Sequence, residues 1–229
     1  TLDTTTDTAY PIANLAYYKL NGDALDSSGN GYNGIASNLS PYAAGRFGQA
    51  AVFNGSSSYV SASIPFLNAK VTSAVSLWIK YTDTVAYKTV FVDYSSGSNW
   101  NHNIIVNQPS TGNLRFFSAY GGSAGYVTLE TSGLTLNDGN WHHIVSTLDL
   151  SQNTLTGYVD GVSVGSLNPS ANTWTGSTQN LQIGAYAGTT NFNGSIDQVR
   201  IFSSALTAGN VTSLYNESTV VESTDGTDS

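Results

Sequence analysis

The sequence predicts an all-β domain, a two-sheet antiparallel sandwich with one short C-terminal helix. Runs of alternating apolar and polar residues recur about every 8–12 residues, with turn residues between them. Ser, Thr, Asn and Gly stand where charged residues usually would, the charged fraction being only 10%, and such a balance suits short strands joined by many turns. Helical spacing is confined to one segment, residues 208–215, where Val211, Leu214 and Tyr215 form a short apolar stripe behind a capping Thr207.

The first strand is expected at residues 15–20, followed by a loop at 21–34 rich in Asp, Ser, Gly and Asn. Strands at 50–53, 59–63 and 74–81 come next. In the last of these, Val75, Leu77, Ile79 and Tyr81 share one face, and Ser76, Trp78 and Lys80 share the other. Further strands are expected at 89–94, 103–106, 114–119, 126–130 and 141–150. A hairpin pairs 154–159 with 162–166 through Asp160-Gly161, a dipeptide that favours the tight two-residue turn. Strands at 181–186 and 195–202 close the series.

With 229 residues, 40% hydrophobic and 11% aromatic, the chain can bury one sizeable core without covalent staples. Net charge is -8 and the seven Lys and Arg are scattered, so no basic patch exists for phosphates. Nucleic acid and anionic lipid are therefore not expected partners. The absence of Cys excludes disulfides, thiolate metal sites and cysteine nucleophiles. No apolar run approaches the length of a bilayer span, so no membrane insertion is expected. Polar segments at 1–13 and 217–229 bracket a domain at 14–216. They read as an N-terminal linker and a C-terminal tail, either frayed ends or connections to other modules or subunits of a longer protein.

Five segments, in order, resemble the LamG-like (laminin G-like) jelly roll of the concanavalin A-like lectin/glucanase superfamily. They are Ala16-Tyr17-Tyr18-Lys19-Leu20 with Asp26-Ser27-Ser28-Gly29-Asn30-Gly31; Gly45-Arg46-Phe47-Gly48-Gln49-Ala50 with Phe53-Asn54-Gly55; Val75-Ser76-Leu77-Trp78-Ile79-Lys80; Asn140-Trp141-His142-His143-Ile144 with Tyr158-Val159-Asp160-Gly161; and the run from Phe192 to Phe202 ending Ile196-Asp197-Gln198-Val199-Arg200-Ile201-Phe202. The resemblance covers residues 15–216 and implies two antiparallel sheets packed face to face. It also places Trp78 and Trp141 at family packing positions.

In the last strand, strict alternation would set Ile196 opposite to Val199 and Ile201. All three can face the core only if Asp197-Gln198 forms a bulge, which would re-aim the Asp197 carboxylate toward the 21–34 loop. Hard cations take six to eight oxygens, and that loop supplies Asn21, Asp23, Asp26 and Asn30. A structural calcium held by Asp197 and these four residues is expected, as the resemblance also implies. The other reading is that Asp26 and Asn30 make Asx turns and Asp197 caps backbone donors. The family commonly has Glu where this chain has Gln198, which removes one ligand charge.

Sugar recognition needs exposed aromatic faces and a few amides or carboxylates. Trp100, Asn101 and His102 sit among turn residues, as do Trp174 and the pair Tyr186 and Asn191; these six are the candidate ligand residues. Trp100 and Trp174 could instead cover sandwich edges or a neighbouring subunit. His142 and His143 point to opposite faces of a strand and read as structural. Glu130, Glu217 and Glu222 are the only glutamates, and no strand carries the closely spaced carboxyl pair of a retaining glycosidase, so no catalytic residue is expected. The sequence therefore points to a non-catalytic carbohydrate-binding or adhesion module of an extracellular or cell-surface protein, its partner a glycan or polysaccharide. The alternative is a structural or decoration domain on a virion surface, such as a phage capsid or tail appendage.

Overall fold

Side chains alternate across a strand, so a sheet with one oily face must lay it on another sheet. The computed structural model describes residues 12–39, 41–67, 71–95, 100–108, 110–119, 126–169, 179–186 and 188–217. Fifteen strands run in order: β1 (Asn14–Tyr18), β2 (Ile35–Ser37), β3 (Tyr42–Ala44), β4 (Gln49–Asn54), β5 (Tyr59–Ser63), β6 (Ser73–Lys80), β7 (Lys88–Ser95), β8 (Trp100–Val106), β9 (Leu114–Ala119), β10 (Tyr126–Glu130), β11 (His142–Asp149), β12 (Thr154–Val159), β13 (Val162–Leu167), β14 (Gln179–Ile183) and β15 (Asn193–Phe202). A 3-10 turn at Pro65–Leu67 and the helix α1 (Ala208–Tyr215) complete the described elements.

The strands form two antiparallel sheets. One has the order β13-β12-β11-β6-β15-β4-β3, and the other β10-β9-β8-β7-β14-β5-β2. In the first, β15 meets β6 along one side; on its other side β4 takes residues 193–196 and β1 takes 199–202. Val75, Leu77, Ile79, Ile144 and Leu148 of this sheet meet Val60, Ile104, Val106, Phe116, Leu181 and Ile183 of the other, all buried in one core. The alternation expected along β6 holds. Val75, Leu77, Ile79 and the following Tyr81 point inward, while Ser76 and Trp78 lie on the far face with His143.

That far face is sealed by α1. Val211 and Leu214 pack on Ala74, Val145, Tyr158, Phe202 and Leu206. Thr207 caps the helix, its side chain accepting from the Asn210 backbone N–H while the Asn210 side chain accepts from the Thr207 N–H. Asp160 and Gly161, with φ of 48° and 80°, make the two-residue turn between β12 and β13.

The expected bulge is present. Asp197 pairs with Trp78 and Arg200 with Ser76, so β15 spends one residue more than β6 across this step. Gln198 takes a positive φ of 52°. Ile196, Val199 and Ile201 thereby all reach the core. Two strands fall in stretches where none was expected, β2 and β3, each three residues long, too short for alternation to show. β8 starts at Trp100, three residues before the expected start at Asn103, so Trp100, Asn101 and His102 belong to a strand rather than a loop.

Candidate functional site: an aromatic patch on the seven-stranded sheet

Within the seven-stranded sheet, Val60, Leu181, Ile104 and Phe116 face the core. Their neighbours Tyr59, Gln182, Asn103 and Phe117 therefore face outward. Four aromatic rings meet on this outer side. Trp100 stands edge-on to Phe117 at 5.4 Å and to Tyr186 at 6.0 Å, and Tyr186 stands edge-on to Tyr94 at 5.3 Å. Such edge-to-face contacts hold rings rigidly and add about 0.5–1.5 kcal/mol each beyond area burial. Tyr59 borders the group: the Tyr94 hydroxyl is raised by burial first, and then by the Tyr186 and Tyr59 hydroxyls nearby. All five rings are half-buried, so each keeps some surface in water.

Polar groups are interleaved with the rings. Among the described residues, Trp100 Nε1 is a buried donor with no acceptor, and Asn103 Oδ1 is a buried acceptor with no donor. Orphaned polar atoms of this kind are rare in folded proteins and call for a partner. At one end Arg115 pairs with Glu130, and its guanidinium lies 5.9 Å from the Tyr87 ring. Ring faces, an indole donor, an amide acceptor and an ion pair on a rigid sheet can stack on a sugar ring and bond its hydroxyls.

Of the six candidate ligand residues, Trp100 and Tyr186 are brought together here. Three others are corrected by burial. Asn101 is fully buried, its amide donating to the Leu67 carbonyl at 3.4 Å and accepting from the Val71 N–H at 3.5 Å. His102 points between the sheets: Nε2 meets Ser73 Oγ at 3.0 Å and Nδ1 meets Ser146 Oγ at 2.9 Å. Burial pushes its imidazole down to about 3 and keeps it neutral. Asn191, 5% exposed, donates to the Ser56 carbonyl and pins the turn after β4. Trp174 lies outside the described residues. Tyr59, Tyr94, Asn103 and Phe117 were not singled out from sequence.

The histidine pair divides as expected. His143 is buried, meets Ser76 Oγ at 2.8 Å and stacks with Trp78 and Tyr215. His142 is held between Asp160 at 2.8 Å and Asp138 at 3.2 Å.

The five expected calcium ligands separate into two groups. Asp26 accepts from the N–H groups of Tyr17, Ser28 and Tyr32 and from Ser28 Oγ, each at 2.9 Å. Burial raises its carboxyl, but these bonds outweigh it and hold the group below the usual carboxylate range. Asp23 accepts from the Leu25 N–H at 3.0 Å, and the Asn30 amide donates to the carbonyls of Asn14 and Leu15. These three residues fold the loop onto β1. Asp197 and Asn21 flank the turn at 45–49 instead. Asp197 Oδ2 accepts from the Phe47 N–H at 2.9 Å, and Asn21 Oδ1 accepts from the Gln49 N–H at 2.6 Å. Gly45 lies so close that a Cβ would sit 2.6 Å from Asp197 Oδ2. Asp197 is fully buried, its Oδ1 has no partner among the described residues, and burial pushes its carboxyl up to about 7. A buried carboxylate oxygen of this kind is a donor that a hard cation can use. Among the described residues, no three His, Cys, Asp or Glu side chains gather closely enough to hold a metal.

Fold and patch together define a jelly-roll sandwich with an aromatic face on the sheet away from α1. The chain belongs to the Laminin_G_3 family of the concanavalin A-like lectin/glucanases superfamily, whose model matches residues 54–212. It is similar to domain 4 of AbnA, a GH43 extracellular arabinanase from Geobacillus stearothermophilus, solved in complex with arabinotriose. The two share 28% identity and a TM-score of 0.72 over 88% of this chain and 98% of that one. The binding domain of Paraclostridial Mosquitocidal Protein 1 shares the fold at 17% identity and a TM-score of 0.67, over 83% of this chain and 48% of that one. The receptor binding domain of botulinum neurotoxin C/D mosaic serotype does so at 14% and 0.66, over 89% of this chain and 51% of that one. The chain thus spans about half the length of these two toxin domains. A search of curated proteins returns no match. Among the described residues, no helix is long and apolar enough to cross a membrane.

Proposed function

We propose that this domain is a non-catalytic carbohydrate-binding module of a larger extracellular or surface protein. Its glycan lies across Tyr59, Tyr94, Trp100, Phe117 and Tyr186. The observation that carries the reading is the half-buried aromatic cluster around Trp100, with an unanswered indole donor and amide acceptor beside it. The relative solved with arabinotriose supports the ligand class. The glutamates near the sheets are engaged in ion pairs, Glu130 with Arg115 and Glu217 with Arg200, which supports a binding rather than a hydrolytic role.

A glycan array followed by titration with arabinotriose tests this. Wild type is expected to bind at least one neutral oligosaccharide. Trp100→Ala is expected to weaken binding by about 2 kcal/mol, roughly thirty-fold, as for a central aromatic anchor. An array on which wild type binds nothing would refute the proposal and leave a structural role.

Calcium is the second part of the proposal, now centred on Asp197 and Asn21 with turn carbonyls. What supports it is the partnerless Asp197 Oδ1 in a buried setting. Added calcium is expected to raise the melting temperature of chelator-treated protein through selective binding to the folded state, and Asp197→Asn to abolish the increase. A melting temperature indifferent to both chelator and calcium would dismiss the ion.

A further inference from the structure

A second cavity opens on the opposite, eight-stranded sheet, beside the C-terminal end of α1. It has a volume of about 390 Å³ and is lined by Arg46, Trp78, Trp141, Tyr215, Asn216 and Glu217. Its floor is rigid. Trp78, 4% exposed, stacks with Tyr215 at 5.8 Å and 17° and with His143 at 5.0 Å. Trp141, read from sequence as packing, is half-buried and turned to this cavity, outside both apolar clusters.

Charge distinguishes the pocket. The chain has three arginines, and two are paired: Arg115 with Glu130, and Arg200 with Glu217. Arg46 has no carboxylate partner among the described residues. Its guanidinium carbon sits 4.7 Å from the Trp78 ring centroid and 4.7 Å from that of Phe47. Stacked in this way the planar group is pre-oriented with its donors free. Glu217 does not neutralise it, because both its oxygens bond Arg200, at 2.6 and 2.9 Å. His143 behind Trp78 is neutral, burial having pushed it down to about 3. Among the described residues, the pocket therefore presents one uncompensated positive charge in a chain of net charge -8.

We propose that this pocket binds an acidic sugar, a hexuronate unit whose carboxylate pairs with Arg46 and whose ring lies against Trp141 and Tyr215. A guanidinium fork suits a carboxylate in two-point contact, and aromatic faces suit the apolar side of a pyranose. The volume is at the small end of ligand pockets, the size of a mono- or disaccharide. The site lies on the other sheet from Trp100 and does not depend on the glycan reading given there.

Titration of the full chain with digalacturonate, with neutral digalactose as the matched control, tests the assignment. With the Trp100 patch disabled by Trp100→Ala, the chain is expected to bind the uronate and not the neutral sugar. Arg46→Gln is expected to weaken uronate binding about tenfold or more, Arg46→Lys to recover only part of it, and Trp141→Ala to weaken it as well. Arg46 and Trp141 are on the surface, so circular dichroism is expected to show folded variants. No uronate binding by Trp100→Ala, equal binding of digalactose by that variant, or an Arg46→Gln variant that binds like wild type would each overturn the proposal. So would a hexaglutamate peptide binding as tightly, since the pocket would then read charge alone.

Discussion

Gly184→Ala is expected to destabilise the domain by about 2–5 kcal/mol, summing a left-handed backbone penalty of about 1–2 with overpacking of about 1–3. Gly184 follows β14 with a φ of 80°, and a Cβ there would lie 2.1 Å from the Phe53 ring. Phe53 cannot swing aside cheaply. It is 1% exposed and edge-on to Phe192 at 6.3 Å. Nor can the backbone slide, because the Gly184 N–H donates to the Val90 carbonyl at 3.0 Å and its own carbonyl accepts from the Phe192 N–H at 2.8 Å. Urea denaturation would show a lower midpoint at an unchanged slope. Tyr186 lies two residues on, so glycan affinity is expected to fall in the same variant. A loss below about 1 kcal/mol would show that the Phe53 pocket yields more than its packing implies.

Arg200→Ala is the second large effect, expected at about 3–5 kcal/mol, the usual cost of breaking a buried ion pair. Arg200 is 3% exposed, grips Glu217 through two nitrogens and lies 4.5 Å over the Tyr17 ring, whose hydroxyl it also meets at 3.1 Å. That hydroxyl in turn donates to Gln198 Oε1. The substitution would strand the Glu217 carboxylate, whose side chain is 16% exposed, and loosen β1, the bulge and the end of α1 together. Arg200→Met with Glu217→Gln is expected to recover most of the loss, because no bare charge then stays behind. A double variant as unstable as the single one would move the cost from charge to shape.

Strand positions were legible because one face of each strand is oily and the other is not. The bulge was legible for a sharper reason: Ile196, Val199 and Ile201 cannot share a side without it. The aromatic patch was only partly legible. Trp100 and Tyr186 stood out among turn residues, whereas Tyr59, Tyr94 and Phe117 sit inside strands where an aromatic passes for core. Their meeting also depends on β14 joining β5 to β7, a pairing across distant stretches that no local pattern encodes. His102 and Asn101 were misplaced by a strand start set three residues late. In β8 His102 falls in phase with the core residues Ile104 and Val106, and a register shift between Trp100 and Asn103 turns Trp100 to the outer face. Glu217 reads as the start of a polar tail, yet it is bound to Arg200, seventeen positions back, by a contact that only the tertiary fold brings about.

β15 is the keystone in time as well as in space. It supplies partners to β6, β4 and β1 at once, yet it is the last of the described strands. During synthesis β1 emerges with nothing to pair against, and the central layer stays open until β15 has followed it out of the ribosome. Such distant partnerships make closure slow and late, since the entropy of a long loop is spent before the contacts repay it. A ribosome that stalls before Asn193 would therefore release two incomplete layers with bare rims, a product fit for aggregation or degradation rather than a smaller working domain.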